Sequence, residues 1–90
     1  MKYTVRVDGW SNPRTVIEEN GKVSLEVAMS HNHCTTCSER VRYVSRQLAQ
    51  RNVQYSWTYP QGPRSFVVIN APGNGQAKEL LSGLLDLHIR

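Results

Sequence analysis

A chain of 90 residues with 39% hydrophobic and 20% charged side chains makes one small domain, residues 1–90, with a thin core. Two cysteines exclude a disulfide-stapled secreted scaffold, and no apolar run reaches the length of a membrane span. The formal net charge of +4 leaves nucleic acid or an acidic protein as partners that the chain would suit.

The N-terminal run Met1–Arg6 has no apolar h-region, so no signal peptide is expected and the expected location is the cytoplasm, with reduced thiols. Tyr3, Val5 and Val7 alternate with polar residues and predict a half-buried strand. Gly9–Pro13 breaks it, with Trp10 as a lid over a core edge. Arg14–Glu19 is a second strand centred on Val16 and Ile17. Asn20-Gly21 fits a two-residue type I′ hairpin turn, because both residues tolerate positive φ. That turn sets Glu19 opposite Lys22, Val16 opposite Leu25 and Thr15 opposite Glu26. Val23, Leu25, Val27 and Met29 then share one face of a third strand.

The next stretch, His31-Asn32-His33-Cys34-Thr35-Thr36-Cys37, holds both cysteines and two of the three histidines. Cys-x-x-Cys lets two sulfurs converge on one ion, and thiolates select Cu(I) or Zn(II). His31 or His33 could complete a tetrahedral zinc site. Thr36 with Glu39 fits a capping box, which predicts a helix from about Cys37 to Gln50. A thiol in the first turn is favoured as thiolate by the helix dipole. The competing reading is packing: Cys37, Val41, Val44 and Leu48 recur at helical spacing, and free cysteine behaves as a small buried hydrophobe.

The charge is unevenly placed. Basic and acidic residues cancel in 1–30 and in 65–90, whereas 31–64 carries Arg40, Arg42, Arg46, Arg51 and Arg64 against Glu39 alone. Arginine forks suit phosphate and carboxylate. Arg42 and Arg46, with Arg40 or Arg51, are therefore candidate contacts to an acidic partner; a plain solvated helix face is the alternative.

Val53, Tyr55, Trp57 and Tyr59 alternate with Gln54, Ser56 and Thr58 in a further strand. Its aromatic row is expected in the core, although such rows also stack on RNA bases. After the turn at 60–63, Arg64–Asn70 is apolar on both faces and expected inside the sheet. Asn74 is a candidate N-cap for a helix over about 76–84, with Ala77, Leu80, Leu81 and Leu84 inward. Leu85, Leu87 and Ile89 predict a short last strand beside Lys22–Met29, which would set His88 near Lys22, far from the cysteines.

From Lys22 the order is strand, helix, strand, strand, helix, strand. That is an α+β, ferredoxin-like βαββαβ pattern with an extra N-terminal strand pair, one antiparallel sheet and two helices on one face. Val23, Leu25, Val27, Val41, Val44, Leu48, Val53, Tyr55, Trp57, Leu80, Leu81 and Leu84 are the expected core.

Within that order, Cys34-Thr35-Thr36-Cys37-Ser38-Glu39-Arg40-Val41 resembles the heavy-metal-associated domain of copper chaperones and mercury-binding proteins. Those domains place Cys-x-x-Cys between the first strand and first helix, with an apolar residue four after the second cysteine, as Val41 is here. The resemblance implies a soft ion, Zn or Cu, held by Cys34 and Cys37. Where the family has methionine two residues before the first cysteine, this chain has Asn32. Glutaredoxin-like redox chemistry fits less well, since no proline follows a helix in the required place. Nothing else in the sequence points to catalysis, so the chain reads as a non-enzymatic binding module. The alternative to metal binding is a basic interaction protein that binds nucleic acid, an acidic protein or a ribonucleoprotein. Phage- or mobile-element-encoded inhibitors of host defence are an analogy in size and charge.

Overall fold

The structure, a computed structural model, describes residues 1–28, 35–60, 63–71 and 75–90, with the backbone alone at 35–37. The strands are β1 (Lys2–Val5), β2 (Arg14–Glu19), β3 (Lys22–Ala28), β4 (Tyr55–Thr58) and β5 (Ser65–Asn70). The helices are α1 (Thr35–Gln50) and α2 (Ala77–Leu85). The strands form one antiparallel five-stranded sheet in the order β1-β2-β3-β5-β4.

The Asn20-Gly21 turn behaves as its residues require, with φ of 53° and 70°. Glu19 faces Lys22 and Val16 faces Leu25. The expected Thr15–Glu26 pair takes another form: the Thr15 N–H donates 3.1 Å to Glu26 Oε1. β3 carries an irregularity between Glu26 and Ala28, and the side chain replaces the ladder bond there. β5, whose Phe66, Val67, Val68 and Ile69 make it apolar on both faces, lies inside the sheet between β3 and β4.

Val23, Leu25 and Val27 of β3, and Val67 and Ile69 of β5, share one buried cluster with Val44 and Leu48 of α1 and Ala77, Leu81 and Leu85 of α2. Both helices therefore cover one sheet face. Tyr55 and Trp57 lie on that face, half-buried against the cluster, and the Trp57 Nε1–H donates 3.0 Å to Ser45 Oγ on α1. Tyr55 and Trp57 thus point toward the helices, whereas Tyr59, just past β4, is exposed. Val41, Val53, Leu80 and Leu84, expected in the core, are half-buried at its rim.

Three expectations change. α1 begins at Thr35, so Thr36 lies inside the helix and is not its cap. The N-cap of α2 is Gln76; Asn74 lies outside the described residues. The largest difference is the chain end. Leu85 completes α2, and Asp86 closes it in the left-handed region at φ 54°, with its N–H on the Ser82 carbonyl. The segment beyond does not reach β3, whose neighbours are β2 and β5. Ile89 instead bridges Val7, through Arg6 N–H to Arg90 O at 2.9 Å and Asp8 N–H to His88 O at 3.0 Å. The N-terminal pair β1–β2 thus stands between β3 and the C-terminal segment. No described helix is long and apolar enough to cross a membrane.

Tyr3 on β1 donates 2.7 Å to Glu18 Oε2. Burial first, then this bond and the Glu18 and Glu79 charges, push the phenol up to about 12. A phenol raised above its unfolded value of 10.0 contributes stability that is complete below that pH and lost as pH rises toward 12. The melting temperature of the native protein should fall between pH 10 and 12 more steeply than that of Tyr3→Phe. Parallel pH profiles would contradict the bond.

Candidate functional site

Of the candidate metal ligands, His31, His33 and Cys34 lie outside the described residues. The backbone places Cys37 as the third residue of α1. Among the described residues no group of three or more His, Cys, Asp or Glu is arranged to hold a metal.

His88, expected near Lys22, sits elsewhere, because the last segment bridges Val7 and does not pair with β3. Its Nδ1 meets Asp8 Oδ2, and Arg90 Nε lies 3.0 Å from Asp8 Oδ1. The His88 bond is the main cause holding the Asp8 carboxyl below its usual range. Leu87 and Asp8 line an open cleft of about 390 Å³ with Trp10, Glu39, Arg40 and Tyr43. Leu87 of the C-terminal segment therefore stands beside Glu39, Arg40 and Tyr43 of α1.

The arginines separate into two sets. Arg40 is half-buried, with its guanidinium 5.2 Å from the centre of the Trp10 ring. Arg64 Nε lies 3.7 Å from Glu26 Oε2. These two cations are engaged inside the protein. Arg42 and Arg46 are exposed on α1, and Arg51 is exposed just past its end. Arg51 donates 3.3 Å to the Gln47 carbonyl. Among the described residues neither Arg42 nor Arg46 has a carboxylate partner. Their positions four residues apart, with Val44 and Leu48 committed to the core, put them together on the outer stripe of the helix.

Beside Trp10 lies a buried charge assembly that sequence reading missed. Arg14 is 2% exposed and Glu26 1%; Glu18, toward the other end of β2, is 6% exposed and accepts from the Tyr3 hydroxyl. The Arg14 guanidinium lies 5.0 Å from the Trp10 ring centre. Its Nη1 donates 2.8 Å to the Val27 carbonyl and its Nη2 3.1 Å to the Ser11 carbonyl. Burial, and then the Arg40 charge, lower the Arg14 pKa, while Glu26 opposes them. Trp10 is a lid as expected, and two guanidinium groups hold it. The available signal was phase: Arg14, Val16 and Glu18 share one face of β2, so a core-facing Val16 brings both charges inward.

Replacing Arg14 by methionine should cost about 3 kcal/mol, because the Val27 and Ser11 carbonyls both lose their charged donor. Arg40→Met should cost about 1 kcal/mol, the worth of a partly exposed cation–π contact. Denaturant unfolding checks both, and equal costs would contradict the assignment of Arg14 as the buried member. Compared with known protein families, with curated proteins and with solved structures, the chain matches none.

Proposed function

We propose that this protein is a small, non-catalytic binding module that docks an anionic macromolecule through the outer face of α1. The observation that carries this reading is the pair Arg42 and Arg46, exposed and without a carboxylate partner among the described residues. Like charges at this spacing cost about 0.2–0.5 kcal/mol in the free helix. A partner presenting phosphates or carboxylates removes that cost and engages two forks at once. Because Tyr55 and Trp57 face the helices, nucleic acid would be held through its phosphates and not by base stacking.

The scaffold is read as a ferredoxin-like variant. β3, α1, β4, β5 and α2 follow that order, and β1–β2 stand where its last strand would pair. A cytoplasmic location goes with the reading.

Fluorescence anisotropy with a labelled duplex and with a polyglutamate peptide tests it. One of the two should bind, with affinity falling as salt rises; for DNA the slope should be about 0.9 per phosphate neutralised. Arg42→Glu with Arg46→Glu should abolish binding with little change in melting temperature, since both side chains are exposed. Unchanged binding by that variant would overturn the proposal.

A second reading is a soft or borderline ion, Zn or Cu, on Cys34 and Cys37 with His31 or His33. It is favoured by the backbone of Cys37 in the first turn of α1, where a thiolate is stabilised. Two thiols with one imidazole suit such an ion chemically. Elemental analysis of untagged protein should then find one ion per chain. The ion should be lost in Cys34→Ser with Cys37→Ser, and released as pH falls and the ligands protonate. Metal-free native protein would end this reading and leave the first untouched.

A further inference from the structure

The two edges of the sheet are protected differently. The β1 edge carries Lys2, and just beyond Val5 the C-terminal segment covers it through Arg6 and Arg90. The β4 edge has neither device. Among the described residues β4 pairs with β5 alone. Its register Tyr55–Thr58 runs without a bulge, residues 52–63 contain no charged side chain, and Tyr59 just past the strand is 60% exposed. Sheet edges are ordinarily blunted by charge, proline, bulge or cover.

The register shows which backbone groups are free. In an antiparallel ladder, successive residues address alternate sides. Glu19 and Lys22 close a two-residue turn, so Lys22 and Ser24 bond toward β2, and Val23 and Leu25 toward β5. Continuing through Val23↔Ile69 and Ser56↔Val68, Ser56 and Thr58 bond toward β5. Tyr55 and Trp57 direct their N–H and C=O outward.

We propose that this edge pairs with β4 of a second copy, antiparallel about a twofold axis, joining two sheets into one. Centring the axis on Ser56 sets Tyr55 opposite the partner's Trp57, and Trp57 opposite the partner's Tyr55, as hydrogen-bonded pairs. The aromatic side chains then pack across strands on the helix-covered side, and the two Ser56 side chains meet on the open side. Such an interface is isologous and closed. A second copy suits this edge better than an anionic partner does, because no cation stands between Arg51 and Arg64. Within residues 52–63 no charged side chain opposes itself across the axis. The inference is independent of the α1 surface.

Sedimentation equilibrium of the full chain, from micromolar to millimolar, tests it. The native protein should reach a dimer. Ser56 is exposed, so Ser56→Lys and Ser56→Glu should keep their melting temperatures. Each alone should dimerise more weakly, by up to about fivefold, from like charges set opposite. An equimolar mixture of the two should pair again. In hydrogen exchange, the Tyr55 and Trp57 amides should become protected as concentration rises, whereas Ser56 and Thr58 are protected throughout. A native protein monomeric across the range would overturn the proposal. So would a Ser56→Lys dimer as tight as the native one, or a dimer that leaves the Tyr55 and Trp57 amides unprotected.

Discussion

The constraint on which this architecture depends is the two-residue turn at Asn20-Gly21. Both residues sit at positive φ, a conformation that matches the twist of the flanking strands and leaves no slack in register. A slip of one residue would turn Val23, Leu25 and Val27 out of the core. The turn also decides who sits beside β3. With β2 held on one side, β5 takes the other, and no place remains there for the end of the chain. The C-terminal segment closes against the continuation of β1 instead, and this brings Leu87 beside Glu39 and Arg40, in the N-terminal half of α1.

At that same end the sheet ladder is continued by side chains. Glu26 accepts from the Thr15 backbone, and Arg14 donates to the Val27 carbonyl, where the β3 irregularity would otherwise leave both groups unpaired. Buried charges are costly unless paired and bonded. Here they satisfy backbone groups, and through Trp10 they reach Arg40 on α1. The contact ties the second turn of the helix to the strands. The core-facing Val44 and Leu48 fix its rotation. Together they determine which arginines stay outside: Arg40 is drawn inward, while Arg42 and Arg46 are not.

How much of this was legible depends on the range of the interaction. The Asn20-Gly21 hairpin register, the inward Tyr55 and Trp57 of β4 and the buried Val44 and Leu48 of α1 follow from local periodicity and turn chemistry, and they stand where the sequence puts them. The Val7–Ile89 bridge joins residues at opposite ends of the chain, and no local pattern distinguishes it from a strand beside β3. Arg14 and Glu18 look like surface charges by residue type but share the phase of Val16. Glu26 is out of phase with Leu25 and is held by its bond to the Thr15 N–H, which no local pattern shows. Of the candidate site, the arginine excess was legible, but its division was not. Arg64 pairs with Glu26 across the strand register, and Arg40 turns toward a tryptophan thirty residues away in sequence.

The central claim is that the N-terminal hairpin occupies the place beside β3 and displaces the C-terminal segment to β1. Interproton contacts measured by nuclear magnetic resonance test it most directly. Val7 and Ile89 form a non-hydrogen-bonded antiparallel pair, in which the Cα protons approach closely. The account predicts a strong contact between the Cα protons of Val7 and Ile89, with none from residues 87–90 to Lys22–Ala28. Contacts between residues 87–90 and β3, with none to Val7, would contradict it.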